Sequence, residues 1–170
     1  MYNKVKYCNQ YKYDYIEDSD YPDQGCGKYV NKASQWYKII SILKHLDNYD
    51  YVLWSDVDTF IMNANFSLES YIDRYSEYHI ICGGYEYEYD RMYNVPCLIH
   101  SGNFLIKNSI ESKQILSTVF FNPKYYEWNN SGNHEEAAIT SYLLNRERYW
   151  HLIKIINIKY LSSWLPTPIS

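Results

Sequence analysis

The feature that most constrains this chain is an apolar segment that ends in two acidic residues. Residues Tyr51 to Trp54 are aromatic, β-branched or aliphatic, which predicts a strand buried on both faces of a sheet. After a single serine, this segment is followed by the triplet Asp56, Val57 and Asp58. On extended backbone successive side chains point to opposite faces, so both carboxylates are expected on one face and Val57 in the core. The sequence therefore predicts two anionic oxygen donors that converge at the end of a strand.

Two converging carboxylates are the ligands that a hard divalent cation requires. A cation between them removes their mutual repulsion, and carboxylate oxygens suit Mn²⁺ or Mg²⁺ better than zinc. The same Asp-x-Asp pattern also occurs in ordinary turns, where an aspartate hydrogen-bonds to the backbone. The pattern alone leaves both interpretations open. The four cysteines include no Cys-x-x-Cys pair, so no zinc site is expected.

Length, charge and hydropathy limit the class of protein. The 170 residues, 46% of them hydrophobic, are expected to form a single domain, 1–170, with an ordinary core. The net charge of −4, without basic clusters, argues against a nucleic-acid partner. No stretch has the apolar length that crosses a bilayer, and the first residues lack the apolar core of a signal peptide. No membrane span is therefore expected in this chain, and the cellular location is left open.

Hydrophobic periodicity predicts helices and strands that alternate along the chain. Helices are predicted at residues 2–10, 32–46, 68–75 with Ser67 as N-cap, 110–120 with Ser109 as N-cap, and from 133. Strands are predicted at residues 13–16, 51–54, 79–82, 97–107 with a bend at Gly102, and 153–158. Loops are predicted at residues 17–31, 85–90 and 122–132, and an extended end at 164–168. This order indicates an α/β layered sheet, in which ligands bind beyond the carboxyl ends of the strands.

Four ordered segments resemble the family of fungal α-galactosyltransferases, mannan-polymerase subunits and plant xyloglucan α-xylosyltransferases. The segments are residues 36–39, 50–63 and 101–109, and the pair Glu135–Glu136 ahead of Leu143–Leu144. The resemblance covers the chain from Tyr7 onward and implies a GT-A-type mixed sheet flanked by helices. Relative to that family the first strand and the segment after the last strand are missing, so the domain is expected to be partial.

The resemblance also implies an activity. It implies a metal-dependent glycosyltransferase that moves a hexosyl or pentosyl unit from a UDP- or GDP-sugar to a glycan or glycoprotein acceptor, with retention of anomeric configuration. Mn²⁺, or Mg²⁺, is the implied cofactor. Members of the family are Golgi-luminal, although this chain shows neither signal nor anchor.

By position, the resemblance assigns roles to the acidic motif and to one lysine. Asp56 and Asp58 correspond to the metal and donor motif, Asp58 as the direct ligand and Asp56 leaning toward the ribose or donor sugar. Lys38 corresponds to a lysine near the donor, where it would help to hold the leaving phosphate.

Two further segments correspond to the sugar pocket and the catalytic carboxylates. His100, Ser101 and Gly102 match a pocket segment in which relatives carry asparagine in place of the histidine. Glu135 and Glu136 are the implied catalytic residues, and His134 an implied donor contact. The residues implied to bind the donor are thus Lys38, Asp56, Ser101, Gly102 and His134. Gly102 is also expected to permit either an unusual backbone conformation or a close approach to ligand.

Each assignment has a structural alternative. Glu136 and Asn133 match a capping box, and both glutamates suit the first turn of a helix because of its dipole. Lys38 could be an exposed helix lysine and Trp36 a core residue. His134 could be a polar residue at a helix terminus, and His100 could be a buried imidazole.

Two other classes of protein remain compatible with the sequence. One is a non-catalytic glycosyltransferase-like subunit or glycan-binding remnant. The other is a phosphatase of the haloacid-dehalogenase type, in which the first aspartate is the nucleophile. That motif expects Thr or Val two places after the second aspartate, where this chain has Phe60.

Overall fold

Helices and strands alternate in the computed structural model, which describes residues 2–19, 34–61, 64–84, 99–125, 134–144 and 151–157. The described helices are α1 (Tyr2–Tyr11), α2 (Tyr37–Leu46), α3 (Leu68–Arg74), α4 (Ile110–Phe121) and α5 (His134–Leu144). The described strands are β1 (Tyr51–Ser55), β2 (Ile80–Gly84), β3 (His100–Lys107) and β4 (Ile153–Asn157). A short 3₁₀ helix, Ser34–Trp36, leads into α2. The predicted loops at residues 20–31, 85–90 and 126–132 and the extended end at 164–168 lie outside the described residues.

The four strands form one mixed sheet in the order β1-β3-β2-β4. Strand β3 is antiparallel to both of its neighbours, whereas β2 and β4 are parallel. Strands β1 and β2 therefore point the same way, and their carboxyl ends lie at the same edge of the sheet. The predicted α/β fold with a mixed sheet flanked by helices is confirmed.

The main core lies on one face of this sheet, under α2, α4 and α5. The apolar stripe of α2 is buried there, and Trp36 ahead of it is fully buried with its ring 6.5 Å from that of Phe120. Trp36 is thus a core residue, as its structural alternative proposed. A smaller cluster on the other face, which includes Ile81 and Leu105, packs against α3.

Strand β1 lies at the edge of the described sheet, where only β3 pairs with it. All five of its residues are partly exposed. The prediction of burial on both faces is therefore wrong, because the sequence pattern does not reveal whether a strand has a neighbour on each side. The strand predicted at residues 13–16 is also wrong: these residues join no described strand, and Tyr15 and Ile16 are exposed. An apolar run forms a strand only where a partner accepts its backbone hydrogen bonds.

Helix α3 begins where predicted, but its N-terminus is capped differently. Ser67 occupies the N-cap position without a side-chain capping hydrogen bond. Instead, the Tyr13 hydroxyl accepts a hydrogen bond of 2.9 Å from Leu68 N and donates one to the Glu69 carboxylate. A distant residue thus supplies the acceptor that the local sequence assigned to Ser67. By contrast, Ser109 caps α4 as predicted and accepts from Ser112 N at 3.2 Å.

Strand β3 is continuous through Gly102, and an irregularity marks the place of the predicted bend. The irregularity lies in its pairing with β2: Cys82 is opposite Phe104, but Gly83 is opposite His100. Residues 101–103 therefore form a bulge that has no ladder partner on β2. Bulges of this kind re-aim side chains and backbone groups at sheet ends. None of the described helices is long and apolar enough to cross a bilayer.

Candidate functional site

Lys38 is the centre of a buried cluster that joins α2, β3, α5 and the end of β1. Its ammonium lies 2.7 Å from Glu135 Oε1, 3.0 Å from Asp56 Oδ2 and 2.9 Å from Ser101 Oγ. Burial by itself lowers the pKa of Lys38, but Glu135 and Asp56 raise it above its usual value. The interpretation of Lys38 as an exposed helix lysine is wrong.

Ser101 connects this lysine to both glutamates of α5. Its hydroxyl accepts from Lys38 and lies 2.7 Å from Glu135 Oε1 and 3.1 Å from Glu136 Oε1. Its backbone N–H donates to Glu136 Oε1 at 2.6 Å. That N–H is available because Ser101 lies in the β3 bulge. Glu136 therefore forms a hydrogen bond with strand β3. Asn133, with which it would form the capping box, lies outside the described residues.

The two glutamates differ in their surroundings. Glu135 is buried and forms an ion pair with Lys38. Loss of hydration, and next the neighbouring charge of Glu135, raise the pKa of Glu136 to about 7, against the opposing effects of the Ser101 hydrogen bonds and of Lys38. Glu136 is therefore the group in this cluster whose proton can exchange near neutral pH.

The Asp-Val-Asp segment is a turn rather than an extension of β1. The strand ends at Ser55, and both the N–H and the hydroxyl of Thr59 donate to the Asp56 carbonyl, at 3.0 and 2.8 Å. Val57 at the tip of this turn is 83% exposed. The prediction that it points into the core is wrong, because the alternation of side chains stops where the backbone turns.

The two aspartates of this turn are held differently. Asp56 Oδ1 accepts from Trp54 Nε1 at 2.5 Å, and Oδ2 from Lys38. The Asp58 carboxylate is exposed and has no hydrogen-bond or ion-pair partner within the described residues. Both charges act on the same neighbours, since both raise the pKa of His100 and oppose the effect of its burial. The structure thus brings the two acidic groups to one place, with Asp56 fixed and Asp58 available.

Neighbouring side chains leave no space for a Cβ atom at position 102, which explains the glycine there. A Cβ atom at this position would lie 2.3 Å from His100 Cε1 and 2.9 Å from Thr59 Cγ2. The His100 ring is buried and its Nδ1 accepts from Gly102 N at 3.2 Å. Burial lowers the pKa of His100, which agrees with its interpretation as a buried, neutral imidazole. The groups close to Gly102 are thus the side chains of His100 and Thr59, and a close approach to ligand stays a prediction.

His134 is the first residue of α5 and adopts a left-handed φ of 30°. Its side chain is not among the described groups that contact Lys38, Asp56 or Ser101. The structure thus brings together Lys38, Asp56, Ser101, Glu135 and Glu136, and within the described residues His134 contacts none of the first three. A donor contact by His134 stays a prediction.

Lys4 belongs to the site although no sequence motif indicated it. This residue of α1 is 8% exposed, and its ammonium donates to the carbonyls of Ser55, at 3.3 Å, and Asp56. Burial lowers the pKa of Lys4, against the opposing charges of Asp56 and Asp58. The sequence signal that it carries is its spacing from Tyr7: these two residues form the buried face of α1.

Side-chain bonds to the segment after the acidic turn hold α1 in place. The Asn3 amide accepts from Ile61 N at 2.8 Å and donates to Ile61 O at 3.1 Å. Tyr7 donates to Phe66 O at 2.8 Å. Since α1 and the turn are linked in this way, Lys4 has a fixed position relative to Asp58.

A cavity of about 810 Å³ opens along the free edge of β1 and ends at the acidic turn. Its polar end is lined by Lys4, Lys38, Asp56, Val57 and Asp58, and most of the rest by α1, β1, α2 and residues 12–19. Ligand cavities for small molecules commonly have volumes of roughly 300–1,000 Å³. Among the described lining residues neither glutamate of α5 occurs, so Lys38 and Asp56 connect the buried cluster to the cavity.

The residues at the polar end resemble a partial metal site. No group of three His, Cys, Asp or Glu side chains within the described ranges is arranged to hold a metal ion by itself. Asp58 offers a carboxylate without a hydrogen bond or ion pair to any described residue, with Asp56 two residues away. A cation here would depend on further oxygen ligands, such as those of a bound phosphate.

Comparison with known structures shows the fold of a glycosyltransferase. The chain is similar to the solved structure of a glycosyltransferase involved in the glycosylation of the major capsid of PBCV-1, with a TM-score of 0.59 and 16% sequence identity. The similarity covers 92% of this chain and 72% of that one. No protein-family model matches the sequence, and no curated protein matches it.

Proposed function

We propose that this chain is a metal-dependent glycosyltransferase domain whose donor site is the cavity at the carboxyl end of β1. The donor is a UDP- or GDP-sugar, and a hexosyl or pentosyl unit passes to a glycan or glycoprotein with retention of configuration. The enzyme of the similar solved structure is involved in glycosylation of the major capsid of PBCV-1, which supports glycosyl transfer as the class of reaction. The observation that carries the proposal is the exposed Asp58 carboxylate, without a protein partner in the described residues, at the polar end of a large cavity.

The cofactor in this proposal is Mn²⁺ or Mg²⁺. Asp58 is the residue that would hold it, with Asp56 as a second oxygen donor. Such ions are commonly bound by one or two carboxylates together with substrate phosphates, so the donor set of the turn fits a cation that binds with a nucleotide. When bound, it supplies Lewis-acid stabilisation of the negative charge on the departing diphosphate.

The other residues would orient the donor and balance charge. Trp54 and Lys38 fix both oxygens of Asp56, which suits this carboxylate to accept from hydroxyl groups of the ribose or donor sugar. Negative charge near the anomeric carbon favours the oxocarbenium-like transition state, and Glu135 and Glu136 are the candidates for that charge. Ser101, Gly102 and His134 stay the proposed contacts of the sugar, as the resemblance implies.

The proposal is tested by calorimetric titration of UDP, and separately GDP, into the protein with and without Mn²⁺. We expect one nucleotide to bind only with the cation, and Asp58→Ala to abolish that binding. Asp73→Ala, which removes an exposed carboxylate of α3, is the matched control and is expected to bind like the wild type. Loss of the sugar from the matching nucleotide-sugar then distinguishes an enzyme from a subunit that only binds. Absence of cation-dependent binding in the wild type would overturn the proposal.

A further inference from the structure

We propose that Lys4, rather than Lys38, is the cation that binds the phosphate groups of a ligand in this cavity. The inference rests on the proposed function, because it assigns a phosphate contact within the proposed donor site. It is carried by the number of N–H groups that each lysine has left for a ligand.

Lys38 has none. An ammonium carries three N–H groups, and the three close acceptors of Lys38 are Asp56 Oδ2, Glu135 Oε1 and Ser101 Oγ. Two of these acceptors are carboxylates, so the positive charge is already balanced within the protein. A phosphate could bind Lys38 only by displacing a buried partner. Leaving such a partner without its bond is costly.

With respect to the part of the chain that the structure describes, Lys4 retains one N–H group. Its two acceptors within the described residues are the carbonyl oxygens of Ser55 and Asp56. Both are neutral, so they orient the ammonium without cancelling its charge. The side chain is 8% exposed and lines the polar end of the cavity beside Asp58. A buried cation with only neutral partners is stabilised by an anion, and phosphate oxygens accept strong charge-assisted hydrogen bonds.

The same contacts make Lys4 a positioning residue for the acidic turn. The Asp56 carbonyl accepts from Lys4 and from both the N–H and the hydroxyl of Thr59. Lys4 therefore fixes the start of the turn whose third residue is Asp58. The Lys4 cation and the Asp58 carboxylate, which has no bonded partner in the described residues, thus line the same cavity and interact electrostatically. A diphosphate with a divalent cation presents the complementary charges, its phosphate oxygens to Lys4 and the cation to Asp58.

The test compares Lys4→Met, which removes the charge, with Lys4→Arg, which keeps it. UDP and uridine are titrated into each variant and the wild type in the presence of Mn²⁺; GDP and guanosine replace them if GDP is the nucleotide that binds. We expect Lys4→Met to weaken binding of the diphosphate by about 10- to 100-fold, the effect of one charge-assisted hydrogen bond, and to leave nucleoside binding unchanged. Lys4→Arg is expected to retain most of the affinity for the diphosphate.

The outcomes separate this inference from the function on which it rests. A wild-type protein that binds neither nucleotide overturns the proposed function and this assignment with it. A Lys4→Met variant that binds the diphosphate like the wild type, or loses diphosphate and nucleoside affinity equally, overturns this assignment alone. If Lys4→Met does not fold, ¹⁵N NMR of lysine-labelled wild-type protein replaces it. A diphosphate-induced shift of the Lys4 Nζ signal supports the assignment, and a shift of the Lys38 signal alone overturns it.

Discussion

The ammonium of Lys38 lies 2.7 Å from the carboxylate of Glu135, and both side chains are almost completely buried. Lys38 is on the helix before β1, and Glu135 is in the first turn of α5, nearly a hundred residues further along the chain. Their ion pair therefore joins two helices across the end of the sheet. Asp56 shares the same ammonium, so the pair also determines where the acidic turn begins.

This ion pair predicts a large loss of stability when its cation is removed. Lys38→Met leaves Glu135 and Asp56 without their counter-charge, and we expect the free energy of unfolding to fall by roughly 3–5 kcal/mol in urea denaturation. Lys44→Met removes a half-exposed ammonium from the same helix, whose partner Asp18 keeps its contact with His45, and is expected to cost less than Lys38→Met. Equal losses in the two variants would contradict the buried pair.

The space around Gly102 predicts a rescue by a second substitution. Gly102→Ala forces its new methyl group against the His100 ring and Thr59, and we expect a loss of about 1–3 kcal/mol in thermal or urea unfolding. In a His100→Ala background the ring is gone, so adding Gly102→Ala should cost less than it does in the wild type. A cost that is unchanged by His100→Ala would show that the ring does not limit the size of residue 102.

Glu136 predicts a pH dependence of stability. Its folded-state pKa is raised from 4.5 to about 7, so the folded protein holds this proton more tightly than the unfolded chain. The free energy of unfolding should therefore fall as the pH rises between these two values, by roughly 1–3 kcal/mol from this group. Urea denaturation from pH 4.5 to 7.5 measures it, and Glu136→Gln should flatten that part of the profile. An identical slope in the variant would assign the effect to another group.

The different surroundings of the two aspartates predict effects of different size on stability. Asp56→Ala removes the acceptor of Trp54 Nε1 and one partner of Lys38, and should lower the free energy of unfolding by roughly 1–3 kcal/mol. Asp58→Ala removes an exposed carboxylate and should change stability by less than about 0.5 kcal/mol. Thermal unfolding without added metal compares the two. A larger loss in Asp58→Ala would mean that its carboxylate has a structural role.

The N-terminus of α3 predicts that a distant tyrosine matters more than the local serine. Tyr13→Phe removes the acceptor of Leu68 N and the donor to Glu69, and should cost about 1 kcal/mol, as loss of a helix cap does. Ser67→Ala, at the N-cap position itself, should cost less, because its side chain makes no capping hydrogen bond. Urea denaturation of the two variants decides between them.

Local features of the sequence predicted much of the fold. The helical spacing of Ile39, Leu43 and Leu46 predicted α2, and Ser109 predicted the start of α4. The apolar run that ends at Trp54 predicted β1, which the structure ends at Ser55, and the position of the acidic segment beyond it. Each of these depends on residues that are close together in the sequence, where periodicity and capping act directly.

Contacts between distant residues decided the site. Lys4 meets the acidic turn, Tyr13 caps α3, and Val57 lies exposed because the chain turns at Asp56. None of these follows from periodicity, since the energy of a buried charge or of a free backbone N–H depends on what packs against it. The sequence by itself thus determined which elements form and where the carboxylates occur along the chain. Only the tertiary structure decided that Asp56 is fixed and Asp58 free, because the groups that hold Asp56 arrive from α1 and α2 and from the strand before it.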